Sequence, residues 1–238
     1  MTKFVGFVPC RAGSERVKNK NTRKFSAFSG GLLELKLLQL SKVSRLDEII
    51  VSSNDDIVLE YVEKFSRDVD SRFIALRRPD EWGASSTSMG MFISEYISSL
   101  RPGNEVIFWT HVTSPFIASD QYTKILEHYE SAVFDGFDSL ITVTRLQKFI
   151  WRQSGPVNYD NTIEKWPRSQ DLEPLFEINH GAYVLPFSVM KSFGDRIGAQ
   201  PYFYELSEDI ARDIDWEDQF VHLEEELDRR LIIGADIL

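Results

Sequence analysis

Six basic residues lie in a short segment near the start of the sequence, directly after its first apolar run. They are Arg11, Arg16, Lys18, Lys20, Arg23 and Lys24, and one acidic residue, Glu15, lies among them. Gly13 and Ser14 in the same segment can turn backbone amides toward an anion, and cationic side chains add charge-assisted hydrogen bonds. A solvated basic loop would explain Gly13 and Ser14 alone. In a protein of formal charge −10, this density of cations indicates a polyphosphate ligand.

An acidic pair, Asp213 and Asp215, lies near the other end of the sequence. If the chain is extended here, residues two apart point to the same side, so both carboxylates face one point. A cation relieves their repulsion, and Mg²⁺ suits carboxylate oxygens that share it with substrate phosphates. Asp215 could instead cap the helix predicted over 216–231. In combination with the basic loop, the pair favours a metal site.

Two polar segments are candidates for recognising a ligand. The turn over 111–115 (HVTSP) follows a strongly apolar strand, and ligand groups gather at such strand ends in open α/β sheets. His111 by itself would be typical of a structural histidine. The segment over 179–183 (NHGAY) contains Gly181, which allows a close backbone approach, although the start of an ordinary strand explains it as well.

Length and composition indicate one soluble globular domain over 1–238. The residues are 42% hydrophobic and 27% charged, which is ordinary for a domain with a large core. The acidic balance argues against a nucleic-acid surface, because that needs a distributed basic face. The single cysteine, Cys10, excludes an intramolecular disulfide and indicates a reducing compartment. The sequence shows no targeting segment and no apolar run of about 20 residues, so we expect a cytoplasmic protein without a membrane span.

Apolar runs alternate with longer amphipathic stretches along most of the chain. Strands are predicted over 4–8, 48–52, 72–76, 105–110, 139–144, 181–185 and 202–206. Helices are predicted over 32–43, 56–67, 88–100, 120–134 and 216–231, with Asp55 and Ser119 as the caps of the second and fourth. This alternation predicts a doubly wound α/β fold with a mostly parallel sheet.

The alternation stops over 146–176, which is rich in Trp, Pro, Asn and Asp and has no sustained period. A segment this long without regular structure is usually functional or packs on a partner. Its aromatic side chains would be costly to leave in water as one patch. We therefore expect a projecting dimerisation arm here, and a homodimer.

Taken in order, the motifs resemble those of the acylneuraminate (CMP-sialic acid) cytidylyltransferase family, which includes the CMP-Kdo synthetases. The matching motifs are the loop from Cys10 to Ser14 with Lys20-Asn21, then Arg78-Pro79, the turn over 111–115, the segment over 179–183, and Asp213-Ile214-Asp215. The departures from the family pattern are His111 for a glutamine, Ile117 for an arginine, Ser85 or Ser86 for an acidic residue, and Glu177 for an arginine. These positions mostly belong to sugar recognition, so the resemblance indicates the reaction more firmly than the sugar.

The resemblance implies a Rossmann-like fold of the nucleotide-diphospho-sugar transferase type. It implies that CTP reacts with a 3-deoxy-2-ulosonic acid, an acidic sugar of eight or nine carbons, to give a CMP-sugar and pyrophosphate for surface glycan synthesis. The implied catalytic residues are Arg11, Lys20 and Asp215, and the implied Mg²⁺ ligands are Asp213 and Asp215. The implied nucleotide contacts are Arg11, Ala12, Gly13, Ser14, Lys20, Asn21, Arg78 and Ser86. The implied sugar contacts are His111, Thr113, Asn179, Tyr183 and Arg168.

Two alternatives stay open at this point. The acceptor could be Kdo or a bacterial nonulosonate such as legionaminate or pseudaminate, and the protein could be a non-catalytic nucleotide-binding relative. An NAD-dependent oxidoreductase and a P-loop NTPase are disfavoured, because neither the GxGxxG nor the GxxxxGK[ST] pattern occurs in the basic loop.

Overall fold

A computed structural model describes residues 2–83 and 87–238 of the chain. The strands in these ranges are β1 (Phe4–Pro9), β2 (Glu48–Ser53), β3 (Phe73–Arg77), β4 (Val106–Trp109), β5 (Ser139–Leu146), β6 (Trp151–Arg152), β7 (Gly155–Pro156), β8 (Leu175–Pro186) and β9 (Pro201–Glu205). The α-helices are α1 (Gly31–Ser41), α2 (Asp56–Asp68), α3 (Asp80–Gly83), α4 (Met89–Met91), α5 (Ser119–Phe134), α6 (Phe187–Phe193) and α7 (Glu217–Ile232).

A seven-stranded sheet in the order β3-β2-β1-β4-β8-β5-β9 forms the centre of the molecule. β8 runs antiparallel to both of its neighbours, and every other pair in this sheet is parallel. Alternate residues of β1 enter two different cores: Phe4 and Val8 lie in one cluster with α1, α2, α5 and α7, and Val5 and Phe7 lie in the other with α6. Helices therefore cover both faces, and the predicted doubly wound, mostly parallel fold is confirmed.

The helix predicted over 88–100 has mixed geometry. α4 continues into a π-helical turn over Phe92–Tyr96 and then a 3₁₀ turn over Ile97–Ser99. Asp55 caps α2 as predicted, because its Oδ1 accepts a hydrogen bond from the Ile57 amide at 3.0 Å. The cap predicted for Ser119 is wrong: Ala118 precedes α5, and the Ser119 hydroxyl donates to the Leu238 carbonyl at 2.8 Å instead.

The segment predicted to lack regular structure is bounded by a ribbon that the sequence did not reveal. β5 and β8 pair as far as Leu146 opposite Leu175, so β8 begins six residues before the predicted strand. The chain between them carries the short β6–β7 hairpin and a 3₁₀ turn over Ser169–Asp171. Two of its apolar side chains are largely exposed, Ile163 at 85% and Trp166 at 72%. The segment over 146–176 thus has an apolar surface, and its role as a projecting dimerisation arm stays a prediction.

Candidate active site

The basic loop follows β1 and is held to the body of the protein by buried apolar side chains. Val17 and Phe25 are buried in the core, and the Ala12 amide donates to Asn54 Oδ1 at 3.0 Å. Gly13 has a φ of +75°, a conformation that glycine adopts without strain. Burial raises the pKa of the Cys10 thiol to about 12, so this cysteine is a packing residue and stays protonated.

Lys20 joins the basic loop to the acidic pair. Its Nζ donates a hydrogen bond to the carbonyl of Ile214 at 2.6 Å, between the two aspartates. Burial lowers the pKa of Lys20, and the charges of Asp213 and Asp215 oppose that shift. The loop and the pair, far apart in the sequence, therefore meet at one place.

The segment around the acidic pair lies outside the helices and strands and is anchored by hydrogen bonds. Ile214 is fully buried, and its amide donates to the Thr113 carbonyl at 3.1 Å. Gln219 Oε1 accepts hydrogen bonds from the backbone amides of Asp215 and Trp216. Gln219 therefore caps the start of α7, a role that the sequence suggested for Asp215. The Asp215 carboxylate instead pairs with Arg16 at 2.7 Å.

A cavity of about 580 Å³, here called the first cavity, lies between the basic loop and the acidic pair. It is lined by Pro9, Arg11, Ser14, Glu15, Arg16, Val17, Lys20, Asn21, Arg78, Trp82, Thr87, Met89, Phe92, Trp109, His111, Val112, Thr113, Asp213 and Asp215. Arg78 is buried in its wall, where the guanidinium bonds to the carbonyl and hydroxyl of Ser52. Burial lowers the pKa of Arg78 to about 10, so it stays cationic near neutrality. The first cavity thus presents several cations to one space.

A second cavity, of about 620 Å³, shares Asp213 and Asp215 with the first. It is lined by Thr144, Glu177, Ile178, Asn179, His180, Glu208, Ala211, Arg212, Asp213, Asp215, Gln219, His222 and Leu223. The acidic pair therefore forms the boundary between two spaces of similar size. A group bound in one cavity can meet a group bound in the other beside these carboxylates.

The donor set at this boundary fits a magnesium ion that is shared with phosphates. Asp213 Oδ1 is buried and has no hydrogen-bond partner among the described residues, so it has a free acceptor position. Within the same residues, no group of three or more His, Cys, Asp or Glu side chains is arranged to hold a metal. Mg²⁺ commonly binds one or two carboxylates and takes its other ligands from water and substrate phosphates. Asp213 and Asp215 match that pattern.

His111 lies in the wall of the first cavity with both ring nitrogens engaged. Nε2 accepts from Trp109 Nε1 at 3.1 Å, and Nδ1 donates to the His180 carbonyl at 3.1 Å. Burial, with a smaller effect of Arg196, lowers the pKa of His111 to about 3, so the ring is neutral. His111 therefore holds two segments together, and its nitrogens are not free for a sugar in this arrangement.

A bulge in β8 shapes the second cavity. The pairing with β5 shifts so that residues 179–182 lie opposite Thr142, and His180 has a left-handed φ of 58°. The Thr142 hydroxyl donates to Asn179 Oδ1 at 2.7 Å and accepts from the Ala182 amide at 2.8 Å. A Cβ on Gly181 would lie 2.7 Å from the Ile117 side chain, so the close approach expected of this glycine is present.

Several of the expected site residues are separated from the cavities or engaged elsewhere. Tyr183 is buried behind His180, to which its hydroxyl bonds, and lines neither cavity. The amide of Asn179 lines the second cavity but bonds to Thr142 and Thr144. Arg168 lies on the arm and pairs with Asp171 at 2.7 Å.

The remaining expected residues divide as follows. Arg11, Ser14, Lys20, Asn21, Arg78, Thr113, Asp213 and Asp215 line the first cavity, whereas Ala12 and Gly13 do not. Ser86 lies outside the residues that the structure describes.

Sequence reasoning assigned no role to two basic residues that the structure places at the site. Arg212 lines the second cavity directly before the acidic pair. Lys36 is fully buried in α1, where Nζ donates to the Ser114 carbonyl at 2.9 Å and bonds to the Tyr122 hydroxyl. Burial holds the pKa of Lys36 well below its usual range. The signal for Lys36 was its place within the apolar run LLELKLLQL, where a lysine interrupts the buried face.

Comparison with known proteins places this geometry in a family. A family model described as cytidylyltransferase matches residues 5–183. An N-acylneuraminate cytidylyltransferase of Streptococcus agalactiae serotype V is 22% identical over 93% of this chain and 52% of that protein, and the serotype III enzyme of the same name is 21% identical over the same shares. The chain thus spans about half the length of these curated relatives.

Solved structures with the same fold include enzymes that act on different substrates. A CMP:2-keto-3-deoxy-manno-octonic acid synthetase complexed with CTP superposes with a TM-score of 0.69 at 12% identity, covering 96% of this chain and 100% of its own. A 4-diphosphocytidyl-2C-methyl-D-erythritol synthase from Anaerococcus prevotii gives a TM-score of 0.64 at 13% identity, covering 95% and 98%. No helix among the described residues is long and apolar enough to cross a membrane. From the family match over residues 5–183, we conclude that this chain belongs to the cytidylyltransferase family.

Proposed function

We propose that this protein transfers CMP from CTP to the anomeric hydroxyl of a 3-deoxy-2-ulosonic acid of the sialic-acid type, with release of pyrophosphate. The observation that carries the proposal is the contact of Lys20 Nζ with the Ile214 carbonyl. It brings a cationic loop suited to a triphosphate beside an acidic pair suited to Mg²⁺. Neither feature alone would distinguish an enzyme from a phosphate-binding protein.

The first cavity is the proposed site of the nucleotide. Arg11, Arg16, Lys20 and Arg78 all line it, and together they can balance the charge of a triphosphate. Arg11 and Lys20 would also stabilise the charge that develops on the α-phosphate and on pyrophosphate as it leaves. Because Lys20 lies beside the acidic pair, we expect the α-phosphorus to bind at the boundary of the two cavities.

The second cavity is the proposed site of the acceptor. It reaches the acidic pair from the other side, so the sugar hydroxyl can approach the α-phosphorus opposite the departing pyrophosphate. Holding both substrates in this in-line arrangement converts a bimolecular encounter into a reaction between fixed groups. Asn179 and His180 of the bulge form part of the wall that would orient the acceptor.

Asp213 and Asp215 are the proposed ligands of Mg²⁺. When bound, the ion would reduce the negative charge that opposes attack on the phosphate. Asp215 can make room for it because its ion pair with Arg16 is half exposed, and such pairs contribute little to stability.

The activities for which similar proteins are named support this choice of reaction. Similar proteins are an N-acylneuraminate cytidylyltransferase and a CMP:2-keto-3-deoxy-manno-octonic acid synthetase, whose substrates are both 2-ulosonic acids.

The apolar surface around Ile163 and Trp166 further supports pairing of the arm with a second copy of the chain.

The test is pyrophosphate release from each of the four nucleoside triphosphates, with Mg²⁺ and either N-acetylneuraminate or Kdo. We expect release from CTP only, dependent on an acceptor, and loss of release on addition of EDTA. Binding of CTP without release of pyrophosphate for any ulosonic acid would contradict the proposal and favour a non-catalytic relative. Faster turnover of Kdo would assign the acceptor to the eight-carbon class.

A further inference from the structure

The acceptor proposed above creates an electrostatic difficulty in the second cavity, and Arg212 resolves it. In a 2-ulosonic acid the carboxylate is bonded to the same carbon as the reacting hydroxyl. Any pose that brings this hydroxyl to the acidic pair therefore brings the carboxylate close to Asp213 and Asp215. Like charges at such separations repel strongly unless cations balance them. One Mg²⁺ on the pair would balance the two aspartates, so the acceptor carboxylate needs a further cation.

Arg212 is placed to supply that cation. It directly precedes Asp213 in the sequence, it is half-buried, and it lines the second cavity. Among the described residues, the Arg212 side chain makes no hydrogen bond and no ion pair. The guanidinium is therefore available to a ligand.

The other charges of the second cavity leave Arg212 as its main anion-binding group. Glu208 is neutralised by an ion pair with Lys148, and Glu177 has no such partner among the described residues. Burial lowers the pKa of His180, which favours its neutral form. Of the residues that line this cavity, Arg212 is the single arginine or lysine.

We infer that Arg212 binds the carboxylate of the acceptor sugar and so selects acidic acceptors. The planar guanidinium can donate two parallel hydrogen bonds to a carboxylate, which fixes the orientation of the sugar as well as its charge. Glu177 repels an anion from its own side of the cavity and leaves the Arg212 side as the favourable one. The inference rests on the proposed function, because it identifies the group that recognises the substrate of that reaction.

The experiment compares Arg212→Ala and Arg212→Lys with the wild type and with Arg145→Ala. Arg145 is an exposed arginine of β5 that lines neither cavity, so its replacement removes the same charge at a position outside the proposed site. The probes are N-acetylneuraminate, Kdo and the C1 amide of each, with CTP and Mg²⁺. The amide removes the negative charge and keeps the reacting hydroxyl.

For the acidic acceptor, we expect Arg212→Ala to raise KM about tenfold to a hundredfold, as for the loss of a hydrogen bond to a charged group. KM for CTP should not change, and Arg212→Lys should recover part of the loss. For the C1 amide, the wild type and Arg212→Ala should have the same KM. Arg145→Ala should match the wild type throughout.

Two failures are distinguishable in this design. A wild type that releases no pyrophosphate with any probe rejects the proposed function. A working wild type whose Arg212→Ala variant keeps its KM for the acidic acceptor, or loses as much for the amide, rejects the role of Arg212 alone. Thermal unfolding of each variant separates a binding defect from a folding defect.

Discussion

The two cavities share one wall but have opposite electrostatic character. Four arginine and lysine residues line the first cavity: Arg11, Arg16, Lys20 and Arg78. Arg212 is the single arginine or lysine that lines the second cavity, beside Glu177 and Glu208. A highly charged triphosphate suits the first, and a ligand with one negative charge suits the second. The difference indicates that the nucleotide is held by summed charge, whereas the acceptor is chosen by the position of a single group.

A change at Asp215, which lines both cavities, should have the largest effect on activity. We expect Asp215→Asn to lower kcat by about 10³-fold, because the metal contributes several kcal/mol to charge stabilisation. Steady-state pyrophosphate release at saturating Mg²⁺ measures this. Asp218→Asn, in the first turn of α7 and outside both cavities, is the matched control. Normal turnover by the Asp215 variant would mean that Asp215 is not a metal ligand.

A change confined to the first cavity should separate catalysis from binding. Lys20→Ala is expected to lower kcat about 10²-fold with a smaller change in KM for CTP, because its charge acts mainly on the transition state. Lys18→Ala removes a lysine of the same loop that does not line the cavity, and should behave as the wild type. A variant that changes only KM would show uniform binding of the nucleotide.

The pH dependence provides a control for that result. Burial lowers the pKa of Lys20, so its charged form is lost at a lower pH than for an exposed lysine. Activity that needs the charge should fall as the pH rises through this lowered value. In Lys20→Arg, the guanidinium stays charged, so the alkaline fall in kcat/KM should move to higher pH. An unchanged profile would exclude Lys20 as its source.

A change confined to the second cavity should have the smallest effect and should spare the nucleotide. Thr142→Val removes the hydroxyl that holds the bulge, and we expect KM for the acceptor to rise about tenfold. It leaves the buried amide of Ala182 without its acceptor and removes one of the donors to Asn179 Oδ1, so the free energy of unfolding should fall by about 1–3 kcal/mol. Thr142→Ser keeps the hydroxyl and should restore both values. A rise in KM for CTP would show that the two cavities are not independent.

The first cavity was largely predictable from the sequence, and the second was not. Strand β1, the loop after it and the acidic pair follow from local patterns and from the rule that ligands collect at strand ends. The N-terminal half of β8 lies in a ribbon away from the covered part of the sheet, so no simple alternation of apolar residues marks it. The bulge then shifts the register, which interrupts the period further.

The surroundings of single buried polar residues were also not predictable from the sequence. Lys36 interrupts an apolar run, but its partners in the core, the Ser114 carbonyl and the Tyr122 hydroxyl, come from distant parts of the chain. The π-helical turn over Phe92–Tyr96 keeps a spacing close to that of a helix, so periodicity does not reveal it. Both depend on tertiary neighbours that no local window contains.

The bulge over 179–182 has a consequence for how this protein can change over evolution. Its Asn179 faces the second cavity, while the carbonyl of its His180 holds His111 in the wall of the first. A change in the backbone at His180 would disturb nucleotide handling and sugar choice together, so selection should keep that turn fixed. Among the described residues, neither Glu177 nor Arg212 holds another segment in place through its side chain. New acceptor preferences should therefore arise first at these two positions.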